Sequence, residues 1–200
     1  ASASGQSLSG NMLYISDLSE DQKAANTRFL RSGIAQKKNI GPITFAPQAS
    51  LCAFTRNKIE DGGAHVTGDD NYHSIYIADL TADGNWNNER PFRYNEFGTS
   101  TGFPSLSTDG NTLYFASNRA GGFGGYDIYV SYRIDGSWTY PENLGKSINT
   151  SGNEITPFYN EQELLFASDY HHGMGGYDIF VSVPDVSSWG FPVNMANGIN

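Results

Sequence analysis

A run of nineteen residues beginning at Leu113, LYFASNRAGGFGGYDIYVS, returns 51 residues later from Leu164 as LLFASDYHHGMGGYDIFVS. The match continues without a gap through Trp138 and Trp189, then Pro141/Asn143 and Pro192/Asn194, to Ile148-Asn149 and Ile199-Asn200. Roughly half the aligned positions are identical, and a fixed period of about 50 residues is the mark of solenoids, propellers or arrays. A third, diverged copy lies upstream: SLCAFTRN from Ser50 replaces TLYFASNR, HSIYIADL from His73 replaces YDIYVSY, and Trp86 stands for Trp138. There the segment between Lys58 and Tyr72 takes the place of the short Gly-rich hairpin, so this copy carries an inserted loop. At the N-terminus NMLYISDL (Asn11 to Leu18) matches only the later part of a unit. These boundaries divide one domain into a partial leading unit at 1–40, a unit with an inserted loop at 41–98, and two regular units at 99–149 and 150–200.

Within a unit the signals are those of β-structure. Apolar residues alternate with polar or small ones through Leu113-Phe115-Ser117 and Ile128-Val130, and Tyr, Phe, Ile and Val dominate. Asp109-Gly110, Asp135-Gly136 and, one period earlier, Asp83-Gly84 supply the chemistry of tight hairpins. The pattern predicts four short strands: a Pro-led strand at Pro104 to Ser107, then Leu113 to Ser117, Asp127 to Tyr132, and an outer strand around Trp138. Four antiparallel strands in about 50 residues is the anatomy of a propeller blade. The fold class is therefore all-β, a β-propeller of four-stranded antiparallel blades. The phase of the two ends, later strands first and a finished unit last, predicts an arc of a larger propeller whose missing early strands lie beyond Asn200. One helix is expected, from Ser19 to Leu30, with Ser19 as its cap and Glu20 and Asp21 in the first turn.

The motif SNRAGGFGGYDIYVS and its copy SDYHHGMGGYDIFVS, each preceded by a Pro-led strand and followed by Trp and an Asn-Leu-Gly-like tail, resemble TolB-like, WD-repeat-like propeller repeats of bacterial envelope proteins. The aromatic-rich variety looks most like the propeller of Bacteroidetes outer-membrane lipoproteins of the OmpA family, the PorE-type components of type IX secretion. The resemblance covers residues 41–200, strongest in the last two units. It implies an extracytoplasmic, periplasmic or outer-membrane-associated scaffold whose partners are envelope proteins or subunits of an outer-membrane complex. Any glycan or peptidoglycan contact is left to domains not in this chain, because no OmpA-like segment is present here.

Composition excludes some classes. With 12 Lys and Arg against 21 Asp and Glu, the net charge of −9 disfavours nucleic acid and anionic membrane surfaces. No apolar run approaches the roughly 18 residues of a membrane-spanning helix. The single Cys52 has no partner for a disulfide and reads as a buried small hydrophobe.

Repetition itself sorts the candidate chemistry. Asp127 and Asp178 recur at one position of the unit, which fits a structural carboxylate better than a catalytic acid. Gly121, Gly122, Gly124 and Gly125 open no helix, so they form a hairpin rather than a phosphate cradle. His171-His172 has no further ligands at metal-binding spacing, and Asp69-Asp70-Asn71 lacks the spaced acids of a calcium loop. No catalytic set, metal or cofactor is expected. Function is better sought where the repeats differ: Arg90, Arg93, Tyr94 and Phe97 after the first full unit, and Tyr170, His171 and His172 in the last. These are the expected partner-binding loops, and the protein reads as a non-enzymatic scaffold. The alternative is a carbohydrate- or peptide-binding propeller associated with a hydrolase. Changing Gly125 or Gly176 to Val should damage folding, whereas replacing His171 and His172 together should leave stability intact.

Overall fold

The computed structural model describes residues 14–19, 21, 23–29, 40–57, 72–81, 86–186, 188–196 and 198–200. The described elements are strands, apart from one 3₁₀ turn at Pro47–Ala49. A leading hairpin pairs β1 (Tyr14–Leu18) with β2 (Ala24–Phe29). The first sheet is β3 (Ile40–Ala46), β4 (Leu51–Asn57), β5 (His73–Leu80) and β6 (Trp86–Pro91), hydrogen-bonded in that order. The second contains β7 (Thr101–Leu106), β8 (Thr112–Ser117) and β9 (Asp127–Ile134), with the short β10 (Ser137–Trp138) and β11 (Glu142–Asn143) both on the far edge of β9. The third repeats this with β12 (Glu154–Tyr159), β13 (Leu164–Ser168) and β14 (Asp178–Ser182), then a small hairpin of β15 (Pro184–Asp185) and β16 (Ser188–Trp189), and finally β17 (Val193–Asn194) on β14. Every pairing is antiparallel, as the blade pattern requires.

Two local expectations change. Ala24–Phe29, inside the predicted helix, is a strand. Ser19 does not start a helix: its hydroxyl accepts the Lys23 N–H at 3.1 Å and its own N–H reaches the Lys23 carbonyl at 3.0 Å, which closes a hairpin turn. Asn26 and Thr27 are poor helix formers, and Thr27 meets Ser16 across the strands with 2.8 Å between hydroxyls. The inner strand of the second sheet also begins at Thr101, before its Pro, whereas the outer strand expected around Trp138 is present as Ser137–Trp138, with Glu142–Asn143 as a further short pairing on β9. The inserted segment 58–71 and the Asp83-Gly84 turn lie outside the described residues. Asp135-Gly136 has φ of 48° and 78°, the left-handed pair that a tight hairpin needs.

The sheets stack face on face, because alternation puts one apolar set on each face of a strand. Between the first and second sheets lie Ala53, Ile75, Ile77, Phe92, Leu113 and Phe115, all at most 2% exposed, with Trp138 packed against them. Between the second and third lie Tyr114, Ile128, Val130, Ile148, Phe166 and Phe180, with Trp189 alongside. Each such side chain contributes about 1.5–3 kcal/mol on burial. Cys52 is fully buried on the opposite face of the first sheet, and burial pushes its thiol up to about 12, so it packs as a small hydrophobe.

Two devices recur in every sheet. Cross-strand neighbours Phe54/Tyr76, Phe115/Tyr129 and Phe166/Phe180 stack with ring centroids 6.0 Å apart. An asparagine then clamps the strand beside them: Asn95, Asn149 and Asn200 accept the N–H and donate to the carbonyl of Ile75, Ile128 and Ile179 respectively, at 2.6–3.1 Å. The clamp ties each sheet to the connector that follows it.

Candidate functional site

The three inner strands β3, β7 and β12 run side by side. Leu106 donates its N–H to the Thr44 hydroxyl of the preceding sheet at 3.1 Å, and Tyr159 does the same to Ser105 at 3.0 Å. Hydroxyls thus staple neighbouring inner strands, and no described strand extends their ladders on that edge. Proline is tolerated on such an edge, where its missing N–H costs no ladder bond. Pro42, Pro104 and Pro157 all occur there.

Each of these strands breaks register once, between Ile40/Ile43, Gly102/Ser105 and Ile155/Phe158. At two of the breaks a non-glycine residue takes a left-handed backbone, Phe103 at φ 54° and Thr156 at φ 51°. Such a conformation costs about 1–3 kcal/mol and persists only where the surroundings impose it. A bulge re-aims a side chain. The result is a groove of about 440 Å³ across the three inner strands, lined chiefly by Pro42, Phe45, Phe103, Pro104, Pro157 and Phe158. Phe45 and Phe158 are 45% and 58% exposed there. The lining holds Thr and Ser hydroxyls but no carboxylate or cation.

The residues expected to bind partners fall into different settings. Arg90 lies on β6, its guanidinium 2.9 Å from the Asp79 carboxylate, which that pairing and Asn88 hold below the ordinary carboxylate range despite partial burial. Arg93 rests 5.0 Å over the Tyr94 ring, and Tyr94 is edge-on to Phe92 and Tyr140 while its hydroxyl donates to the Trp138 carbonyl. Phe97 is 90% exposed. Tyr170 is exposed and His172 likewise. The connector holding Arg93, Tyr94 and Phe97 and the hairpin holding Tyr170 and His172 sit at the same end of the sheets, because both adjoin the Thr101/Ser117 and Glu154/Ser168 ends of the inner hairpins. No described contact joins the two groups.

His171 has a different role. Its Nε2 donates to the Ile148 carbonyl at 2.7 Å, and its ring packs 5.8 Å from Phe166 and 5.2 Å from Phe180. In the second sheet Arg119 takes this place: it lies 5.4 and 5.1 Å from Phe115 and Tyr129 and donates to the Tyr94 carbonyl at 2.9 Å. In the first, Arg56 lies 3.7 Å over Tyr76 and is ion-paired with Glu89. Each stacked ring pair is capped by a cationic or imidazole group. This contact argues against the expectation that replacing His171 and His172 together leaves stability intact.

Asp127 accepts hydrogen bonds from the Phe123 N–H at 2.6 Å and the Asn143 amide at 3.0 Å, and Asp178 accepts from the Met174 N–H, so both close the Gly-rich hairpins. A side chain at Gly125 would meet Asn153 of the next sheet, and Gly176 has φ 63°, so both glycines are required for different reasons. Among the described residues no cluster of His, Cys, Asp and Glu has the arrangement of a metal site.

No protein-family model matches the chain, and no curated protein matches it. Among solved structures, TolB from Acinetobacter baumannii is similar with a TM-score of 0.53 and 17% identity, over 90% of this chain and 37% of that one. The tricorn protease is similar with a TM-score of 0.49 and 12% identity, over 79% of this chain and 18% of that one. The chain thus spans well under half the length of either. The likeness to TolB is one of fold, and it agrees with the stacked four-stranded sheets: the chain is an arc of a TolB-like β-propeller.

Proposed function

We infer that this protein is a non-enzymatic interaction scaffold of the bacterial envelope, acting in the periplasm or at the outer membrane, which receives an extended apolar segment of a protein partner in the groove across its inner strands. The observation that carries the reading is the groove itself. Two of the three inner strands spend backbone strain, at Phe103 and Thr156, and together the three present Phe and Pro side chains to an opening of about 440 Å³, within the size range of ligand sites. Aromatic rings and prolines offer a preformed apolar surface that loses little freedom on binding, which suits a peptide segment. The lining sets these rings and prolines beside Thr and Ser hydroxyls, without carboxylate or cation, which favours an uncharged apolar segment. The envelope setting and a part in a secretion or anchoring complex rest on the resemblance of the repeats and on the TolB-like fold. Among the described residues, no helix is long and apolar enough to cross a membrane.

A photo-crosslinking residue at Phe158, exposed and outside the sheet interfaces, tests the reading in envelope extract. Crosslinking to one defined protein, abolished by Phe45→Asp at the other side of the groove, is the expected result. Crosslinks that survive Phe45→Asp unchanged, or a crosslinker at Phe97 capturing the partner in place of Phe158, would move the binding site to the loop end.

A further inference from the structure

The groove continues past its own rings. Pro42 and Phe103, which line it, also wall a smaller chamber of about 190 Å³ between the first and second sheets, completed by Ile40, Gly41, Thr55, Asn57 and His73. Close backbone approach builds this chamber. A Cβ at Gly41 would stand 3.1 Å from the Thr55 Cβ, and one at Gly102 would stand 3.0 Å from the Thr55 Cγ2 and 3.6 Å from the His73 Cβ. Thr55 is fixed in turn, since its hydroxyl accepts the Phe103 N–H at 2.9 Å. The volume equals that of about six waters at about 30 Å³ each, which is room for one side chain of middling size.

The fold gives no reason for an imidazole in this wall. His73 begins β5 opposite Asn57, with its backbone N–H bound to the Ser100 hydroxyl at 3.1 Å. Its Nδ1 is buried and has no hydrogen-bond partner. In the later units the same place holds Tyr126 and Tyr177, and the Tyr177 hydroxyl is bonded to the Asp169 carboxylate. An unpaired buried nitrogen destabilises, and an apolar side chain here would avoid that cost. With Nδ1 dry, Nε2 is the nitrogen left to meet what enters the chamber. Burial holds the ring below the ordinary histidine range, so it is neutral at pH 7. The rest of the lining adds the Thr55 hydroxyl and the Asn57 carboxamide but no charged group. A carboxylate or an ammonium would enter without a counter-charge, whereas a neutral group that both donates and accepts matches either tautomer of the ring.

We propose that the chamber is a side pocket of the groove that takes the carboxamide of one asparagine or glutamine in the bound segment, read by the imidazole of His73 with Asn57 beside it. The proposal rests on the groove as the seat of that segment, and it adds the feature by which one apolar segment is told from another. Phe103 and Pro42 belong to both spaces, so a chain lying across the inner strands passes the mouth of the chamber. A hydroxyl would leave most of the chamber unfilled. An amide side chain fills it and loses its water only where a hydrogen-bonding partner replaces it.

The first probe is propionamide, the side chain of glutamine without its backbone, titrated into the full chain at pH 7 and followed by NMR at the His73 ring nitrogens and the Phe103 amide. Both signals should move together, and propionate should bind about tenfold or more weakly because its charge finds no partner. His73→Leu keeps the backbone bond to Ser100 and removes an unpaired nitrogen, so the variant folds, and the Phe103 response should vanish. Asn57→Ala should weaken the response at His73. No response to propionamide, or an equal one to propionate, would overturn the proposal and leave a chamber that holds water only. The second probe is a library of random heptapeptides selected on the same chain. The wild type should return apolar peptides with Asn or Gln at one fixed place, and His73→Leu should return apolar peptides without it. Apolar peptides lacking that place in the wild type would overturn the side pocket and leave the groove standing. A library without binders, while propionamide still moves His73, would overturn the groove reading and with it this source of the amide.

Discussion

At the scale of single residues, the same physical task is met by different side chains in successive repeats. Arg56, Arg119 and His171 all lie against a stacked aromatic pair, and the last two also reach back to a carbonyl of the preceding connector. Alignment of the repeats hides this. At a spacing of 51, Arg119 corresponds to Tyr170 and His171 to Ala120, so the cap shifts by one position as its chain length changes. Only the position of the rings in space shows the equivalence, which is why His171-His172 reads from sequence as a variable loop. The two histidines should therefore behave unequally. His171→Ala removes a hydrogen bond to a carbonyl and the packing over Phe166 and Phe180, at a cost of about 2 kcal/mol. His172→Ala, at an exposed position, should stay within about 0.5 kcal/mol. Urea unfolding of the two single variants checks this, and equal midpoints would show that the imidazole cap is idle.

At the scale of elements, the hairpins and strands were legible because their chemistry is local. The Asp109-Gly110 and Asp135-Gly136 turns, period-two alternation and the Gly-rich loops closed by Asp127 and Asp178 appear where the pattern puts them. The helix expected at Ser19 failed for a related reason. A capping hydroxyl serves a turn as well as it serves a helix, and only pairing with Tyr14–Leu18 decides between them. The inner-strand groove was not legible, since left-handed bulges at Phe103 and Thr156 leave no residue signature when glycine is absent. The asparagine clamp was half legible: the Ile-Asn ending repeats, but its bonds to Ile128 and Ile179 span 21 residues. Asn149 is 2% exposed and holds both backbone groups of a fully buried Ile128. Asn149→Ala leaves the Ile128 N–H without a partner in a dry interface, while the carbonyl keeps the Leu144 N–H, and should cost about 2 kcal/mol. Asn200→Ala, on the uncovered face where water can take over, should cost under about 1 kcal/mol. Equal losses in thermal or urea unfolding would mean that the clamp works by ordering the connector rather than by sparing buried backbone groups.

At the scale of the whole molecule, the arrangement is one-dimensional: each sheet touches its neighbours, and stability is a sum of sheet and interface contributions. The second sheet has both faces covered, so Asp127 to Ser131 are all buried, whereas in the third Asp178, Phe180 and Ser182 are buried and Ile179 and Val181 between them are not. The same letters in the sequence therefore carry different energies. Period and amphipathic pattern told that a sheet of this kind forms, but not which of its faces has a neighbour, because that depends on what stands beside it and not on the strand. A matched pair of substitutions exposes the difference directly. Ile128→Asp places a carboxylate inside the interface of the second and third sheets and should cost about 4 kcal/mol or more, a large part of a typical domain's stability. Ile179→Asp makes the same change one repeat later on a face that meets water, and should shift stability by no more than about 0.5 kcal/mol. Native-state hydrogen exchange should show the same asymmetry without mutation, with Phe115 and Tyr129 slower than Phe166 and Phe180 although the two pairs are equivalent in the repeat. If instead both substitutions cost the same, the third sheet's outer face is already covered in solution, and the molecule that unfolds is larger than a single chain.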